Sequence, residues 1–261
     1  MTPGSTWTIP LGEVEVVAEG TYWLRFQRPD GLACEPGHFF MLSPAFPGGV
    51  PFLGRPLSIG DVDGGRLHFL LRALGRATRW FRGLPPGSPM RLVGPLGRPF
   101  DPPDREVHRL VAGGIGLAPF FYLARRLRES RPGARIELLY GERAAAAHVE
   151  LDGAGGLFDA VERYTDDGSR GARGTVVDGA AAWLDGPPAA WYGCGPHPML
   201  RALAGRLEEA GVTGAQFSLE ERMACGFGVC QACIVPNRSG SPRYRLLCVE
   251  GPVVDPREVA W

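Results

Sequence analysis

Four cysteines near the C-terminal end, Cys225, Cys230, Cys233 and Cys248, have the types and spacing that point most directly to chemistry. They follow the pattern C-x4-C-x2-C-x14-C, and Gly226, Phe227, Gly228 and Val229 fill the first gap. Four thiolates are a complete ligand set for one metal centre, and C-x4-C-x2-C is the spacing of a plant-type [2Fe–2S] cluster. Glycines in such a loop let the backbone wrap closely and aim N–H groups at the sulfur atoms. A structural zinc site also accepts four cysteines, but zinc favours two short Cys pairs, whereas here three cysteines crowd one Gly-rich loop. The spacing therefore favours a cluster that moves single electrons.

Three further segments have the composition of nucleotide contacts. Ala112-Gly113-Gly114-Ile115-Gly116-Leu117-Ala118-Pro119 reads as a strand end, a glycine turn and the start of a helix. Glycines there let a backbone approach a pyrophosphate, and Pro119 suits a first helical turn. The pattern departs from G-x-G-x-x-G, so from the turn alone a binding site and a plain tight turn stay equally open. Arg55-Pro56-Leu57-Ser58 offers a guanidinium for a pyrophosphate and a hydroxyl for a ring edge. In isolation an arginine at a strand start reads as a surface residue. Tyr192-Gly193-Cys194-Gly195-Pro196 puts small residues at the end of a strand, where a flat ring has room. A buried, inert thiol is the alternative for Cys194. No G-x-S-x-G elbow or H-E-x-x-H pair occurs, and the five histidines are scattered, so hydrolytic chemistry has no support.

The elements that must position these residues change character along the chain. Glu13–Val16, Tyr22–Phe26, Arg66–Arg72 and Pro89–Val93 alternate as half-buried strands do, with turns at Pro47-Gly48-Gly49, Asp63-Gly64-Gly65 and Pro85-Pro86-Gly87. Strands at this density predict a small antiparallel barrel over residues 1–102, with one short helix near Ala77–Phe81. After Pro99–Pro103, strands alternate with helices. Leu110–Ala112, Arg135–Tyr140, Val161–Tyr164 and Ala190–Tyr192 are strands. Amphipathic helices follow the glycine turn and Pro198, and Ala144–Ala147 is expected to start another. This predicts a Rossmann-like α/β domain over residues 103–215 and a small cysteine module over 216–261, an α+β multidomain protein.

Bulk composition excludes several classes. Lys+Arg and Asp+Glu are equal at 28 each, so charge gives no support for nucleic acid or an anionic membrane. The 38 glycines and 25 prolines are scattered among apolar periodic segments and fit a loop-rich β structure rather than disorder. Met1–Gly12 lacks the basic start and apolar core of a signal peptide, and no apolar run reaches membrane-spanning length. A soluble, cytoplasmic protein is expected, with Cys34 and Cys194 free of any disulfide.

Taken together and in order, the Arg-Pro-Leu-Ser segment, the Gly-Gly-Ile-Gly-Leu-Ala-Pro turn, the Cys-Gly-Pro strand end and the cysteine loop resemble the ferredoxin–NADP reductase superfamily along essentially the whole chain. Leu219–Cys233 and Cys248-Val249-Glu250-Gly251-Pro252-Val253 are more specific. They resemble the electron-transfer subunits of NAD-dependent dihydroorotate dehydrogenases. The resemblance implies that Arg55, Pro56, Leu57 and Ser58 line FAD, that Leu70, Leu71 and Arg72 follow its adenine-dinucleotide side, and that Ala77 and Thr78 hold its pyrophosphate. Ala77 departs from the family's usual glycine. Gly113, Gly114 and Gly116 are then expected to face the NAD pyrophosphate, and Cys194, Gly195 and Pro196 to lie beneath the nicotinamide. Glu142 would bond a ribose 2′-hydroxyl and so favour NAD over NADP, though a solvated carboxylate accounts for it as well.

The resemblance also implies a partner, an FMN-containing dihydroorotate dehydrogenase catalytic subunit, in an assembly of two of each. Electrons would reach NAD through the cluster and FAD, in pyrimidine biosynthesis, with no acid–base residue supplied by this chain. Two rivals stand beside this reading. One is a diaphorase subunit serving a hydrogenase, a transhydrogenase or an oxygenase. The other is a zinc-stabilised interaction module without catalysis.

Overall fold

The computed structural model describes residues 5–46, 53–151 and 156–261, so the expected turn at Pro47-Gly48-Gly49 lies outside the described residues. The first region contains β1 (Ser5–Ala18), β2 (Thr21–Gln27), β3 (Phe39–Pro44), β4 (Arg55–Ser58), β5 (Asp61–Asp63), β6 (Arg66–Arg72), α1 (Arg76–Arg82) and β7 (Pro89–Leu96). Its strands form one seven-stranded sheet in the order β4-β3-β7-β1-β2-β6-β5, and every pairing is antiparallel. The Gly60 N–H donates to His68 C=O at 2.8 Å, so the chain leaving β4 returns to β6 and the sheet curls around its own core. Alternating side chains fill that core with Tyr22, Leu24, Phe26, Phe40, Leu42, Phe69 and Leu92, none more than 1% exposed. The predicted short helix is α1, and its buried Phe81 caps this core.

The second region contains β8 (Val107–Gly113), α2 (Ala118–Ser130), β9 (Arg135–Glu142), β10 (Ala160–Thr165), β11 (Ala172–Arg173), α3 (Val176–Trp183), β12 (Ala190–Cys194), α4 (His197–Glu209) and β13 (Gln216–Ser218). The sheet order is β11-β10-β9-β8-β12-β13, parallel throughout. Strand order reverses between β8 and β12, and the ends of these two strands carry the glycine turn and Cys194. In an open α/β sheet that crevice is where ligands bind.

β14 (Ile234–Pro236) and β15 (Tyr244–Leu246) form a two-stranded ribbon, followed by α5 (Leu247–Glu250) and β16 (Val253–Val254). β16 pairs antiparallel with β13, extending the second sheet. Cys233, Val235, Leu247 and Cys248 pack into the same core as Leu200 and Phe217 of the nucleotide domain. The cysteine region thus has little core of its own, as expected where a metal centre supplies the cross-links.

Ala144–Ala147 does not start an α-helix. Only a 3-10 turn, Ala145–Ala147, forms, and the chain leaves it extended. Burial of His148 and Val149 decides this, with His148 stacked edge-on against Tyr140 at 4.6 Å. That packing outweighs alanine's helix propensity. The Pro-rich connection is pinned by two adjacent residues: Phe100 N–H donates to Pro36 C=O, and Asp101 N–H donates to Gln216 Oε1, both at 2.8 Å.

The two larger domains are joined through α2. The Tyr122 N–H donates to Gly60 C=O at 2.9 Å, and its hydroxyl donates to Cys34 C=O at 2.8 Å. Arg125 binds Asp61 with two hydrogen bonds, 2.8 and 2.5 Å. Among the described residues no helix is long and apolar enough to cross a membrane.

Candidate functional site

The cysteine loop is built by local backbone geometry. Gly226 and Gly228 have φ of +84° and +89°, a region open to glycine at no steric cost. A Cβ on Gly226 would press on Met41 at 2.7 Å, and one on Gly228 on Val249 at 2.9 Å. The loop therefore sits tightly between the barrel and the segment after Cys248. Its N–H groups point at sulfur: Phe227 and Cys230 donate to Cys225 Sγ at 3.5 and 3.4 Å, and Gly228 donates to Cys248 Sγ at 3.1 Å. Cys248 N–H donates to Cys233 Sγ at 3.4 Å.

The four thiols come as two pairs. The Cys230 N–H donates to Cys225 Sγ, and the Cys248 N–H to Cys233 Sγ. Burial acts to raise the Cys225 thiol, but the N–H groups of Cys230, Phe227 and Val229 outweigh it and bring it down to about 6. Burial and the neighbouring Cys233 push Cys248 up to about 12. Among the described residues no three His, Cys, Asp or Glu side chains are grouped to hold a metal ion. Two pairs of thiols beside donor N–H groups fit a two-iron cluster, in which each iron takes two protein ligands. Cys233 and Cys248 are buried, Cys225 is partly buried and Cys230 is exposed. The exposed Phe227 and Val229 lie on the open side of this loop.

A cleft of about 430 Å³ adjoins the loop. It is lined by Phe39, Pro56 and Ser58 of the barrel, by His197 at the start of α4, and by Leu219–Met223 leading to the first cysteine. All three regions of the chain thus share one cavity, of a size suited to a flat cofactor ring. Pro56 and Ser58 are two of the residues expected beside FAD. The carboxyl of Glu220 opens onto the cleft but is walled by protein, and burial raises it. His197 Nε2 lies 3.2 Å from Glu220 C=O and 3.3 Å from Glu221 Oε1. Phe39, His197 and Glu220 are functional candidates that motif reading missed. His197 directly follows Cys194-Gly195-Pro196 and Glu220 opens the cysteine stretch, so position beside a motif is the signal that could have found them.

Other expected FAD contacts lie nearby. Arg55 Nη1 donates to the carbonyls of Leu53 and Gly54 at 3.0 and 3.3 Å, and Leu57 packs partly buried against the barrel core. Leu70 and Leu71 are 4% and 2% exposed, paired with Trp23 and Tyr22 of β2, so their side chains are core rather than ligand contacts. Ala77 is buried, and the Thr78 hydroxyl closes α1 by pairing with Gly75 N–H and C=O.

The glycine turn at the switch point divides its labour. A Cβ on Gly116 would fall 2.2 Å from Cys194 C=O, and one on Gly113 would fall 2.4 Å from Met199 Sδ. These two glycines let the Cys194–Pro196 segment lie directly against the turn. Gly114, at φ +57°, instead faces Arg72 Nη1. Glu142 is not on the surface: its carboxylate is 2% exposed, ion-paired with Arg72 and hydrogen-bonded by the Tyr140 hydroxyl at 2.8 Å. Cys194 is buried, and burial raises its thiol well above the usual range.

Comparison with known proteins agrees with this geometry. The family described as the iron–sulfur cluster binding domain of dihydroorotate dehydrogenase B matches residues 220–260. A dihydroorotate dehydrogenase B (NAD(+)) electron transfer subunit from Desulforamulus reducens is 35% identical over 255 residues, covering 95% of each chain. A protein from Aquifex aeolicus named as a homologue of that subunit is 31% identical over 249 residues, covering 93% of this chain and 94% of its own. Among solved structures, an NADH-dependent reduced ferredoxin–NADP oxidoreductase studied for flavin-based electron bifurcation superposes with a TM-score of 0.84. It has 25% identity, and the match covers 99% of this chain and 91% of the other. A ferredoxin NADP+ reductase from Neisseria gonorrhoeae shares the fold at TM-score 0.67 and 15% identity, covering 79% and 92%.

Proposed function

This chain belongs to the family of electron-transfer subunits of NAD-dependent dihydroorotate dehydrogenase B, and on that premise we propose how its residues divide the work. It is the flavin- and iron–sulfur-dependent electron-transfer subunit of an oxidoreductase, acting with FAD, a [2Fe–2S] cluster and NAD beside a dihydroorotate dehydrogenase catalytic subunit. When bound, nicotinamide exchanges hydride, the cluster exchanges single electrons, and flavin is able to do both.

The chain's own residues supply placement. Pro56, Ser58 and Phe39 wall the barrel side of the cleft, with Arg55, Leu57, Ala77 and Thr78 along the rest of the FAD site. Gly114 opens the dinucleotide site, and Gly113 and Gly116 hold Cys194, Gly195 and Pro196 against it. Cys225, Cys230, Cys233 and Cys248 hold the cluster, and their loop N–H groups stabilise negative charge on sulfur. The single observation that carries the reading is the cleft bounded by barrel, nucleotide domain and cysteine module together. A carrier seated there is in reach of both electron routes. No side chain of this chain is assigned acid–base work. The division at residues 1–102, 103–215 and 216–261 is the domain arrangement that suits this scheme.

The partner we assign is an FMN-bearing catalytic subunit, two of each chain to an assembly, working in the cytoplasm in pyrimidine synthesis. Phe227 and Val229, beside the exposed Cys230, are the face we assign to it. Gentle purification of the tagged chain from its own host tests this. A dihydroorotate dehydrogenase catalytic subunit in equal amount is expected, and a hydrogenase or oxygenase in its place would contradict the assignment.

A further inference from the structure

Arg72 closes β6 in the barrel and Glu142 closes β9 in the nucleotide domain, 70 residues later in the chain. The guanidinium is held on two sides: Nη2 donates to Glu142 Oε1, and Nε donates to Thr21 Oγ1 at 3.2 Å. Glu142 Oε1 also accepts from the Tyr140 hydroxyl at 2.8 Å, and that hydroxyl accepts from the Val149 N–H at 3.3 Å. The third nitrogen, Nη1, has no hydrogen-bond partner among the described residues. It lies 3.3 Å from the point where a Cβ on Gly114 would stand, with Glu142 Oε2 at 4.0 Å from that point.

A ribose reader needs a carboxylate open to two hydroxyls. Glu142 is sealed, with its charge already committed to a guanidinium. Its position, at the glycine turn and behind Arg72, suits a different task. We propose that Glu142 is the resident counter-ion of the dinucleotide site: it holds Arg72 aimed at the diphosphate of a dinucleotide on the Gly114 turn, and its negative charge opposes that diphosphate. It thereby sets how tightly NAD(H) binds without reading the ribose. Because the pair spans the two domains, binding at the turn is also felt by the end of β6, the strand that leads into the FAD contacts at Ala77 and Thr78. The inference rests on the dinucleotide occupying the Gly114 turn.

The two roles for Glu142 predict opposite signs. Glu142→Gln keeps an oxygen to accept from Arg72 and Tyr140 and removes only the charge. A counter-ion role predicts tighter binding, by about three- to tenfold at low salt. Because the Glu142 carboxylate is buried, the gain is only partly reduced at high ionic strength. The NADH-to-NADPH affinity ratio stays as in the unaltered protein. A ribose-reading role predicts weaker NADH binding and a ratio shifted toward NADPH.

The test is calorimetric titration of NADH and NADPH into the FAD- and cluster-loaded full chain at two salt concentrations. Looser or unchanged NADH binding in Glu142→Gln overturns the proposal, as does a shifted ratio. Should that variant lose FAD or fail to fold, Glu142→Asp decides. Its shorter carboxylate keeps the charge and draws Arg72 from the turn, so NADH binding weakens with an unchanged ratio; a changed ratio overturns the proposal. Absence of saturable NADH binding by the unaltered protein would instead remove the dinucleotide assignment itself.

Discussion

The cysteine loop and the dinucleotide turn both depend on glycines, yet they are built in different ways. In the loop, Gly226 and Gly228 shape a local path whose own N–H groups find three of its sulfur contacts. At the turn, the glycines clear space for distant parts of the chain. Gly116 admits the Cys194 backbone, Gly113 admits Met199, and Gly114 faces Arg72 from the barrel. One site is a short local scaffold of metal-ligand type. The other is assembled by the packing of two domains. A local site fails by losing its ligand, whereas an assembled site fails by losing its alignment.

The largest expected effect falls on the local site. Cys248→Ser removes one of four ligands, so cluster absorbance and electron transfer with the catalytic subunit should be lost, while FAD content and NADH oxidation by an artificial acceptor persist. Loss of FAD together with the cluster would show that the two sites are not separable in this way. At the assembled site, Gly116→Ala drives a methyl into the Cys194 carbonyl and should cost about 3 kcal/mol, or roughly 10 °C in thermal midpoint. Gly114→Ala should cost about 1 kcal/mol, since its left-handed φ is strained while the methyl meets only the guanidinium end of Arg72, at 3.3 Å. Equal midpoints for the two variants would break the distinction between a packing glycine and a site-facing one.

Acid should also separate the two regions. Burial lowers the pKa of His68, His108 and His148, and each is at most 2% exposed. A histidine depressed on folding contributes stability above its unfolded value of about 6.5, and that contribution is lost as pH falls through the folded value. All five histidines precede residue 216. The thermal midpoint of the barrel and nucleotide domain is therefore expected to fall between about pH 7 and pH 5, with no histidine contribution from the cysteine module. A midpoint flat over that range would contradict the buried, neutral assignment. An effect as small as that of Gly114→Ala is expected from Ala77→Gly, about 1 kcal/mol of helix stability with FAD retention unchanged.

Legibility in the sequence followed the same division. The cysteine spacing named its chemistry directly, because ligand type and loop length are local facts. The barrel and α/β strands were legible from alternation, as in Tyr22–Phe26, and from short apolar runs such as Leu110–Ala112. The Ala144–Ala147 helix failed because a contact with Tyr140 outweighed local propensity. Glu142 was given a ribose role from its place beside the second strand of the nucleotide domain, within the family resemblance. Its pairing with Arg72, 70 residues away, depends on how two domains dock. His197 and Glu220 went unseen for the same reason, since the cleft they line exists only once three regions meet.

The most direct test of the central claim is reconstitution of this chain, loaded with FAD and cluster, with a dihydroorotate dehydrogenase catalytic subunit, followed by NADH absorbance after dihydroorotate is added. NADH should form only when both subunits are present, and should cease when Cys248→Ser replaces the unaltered chain. NADH formation at an undiminished rate with the cluster-free variant would contradict the account, because electrons would then reach NAD without the cysteine loop.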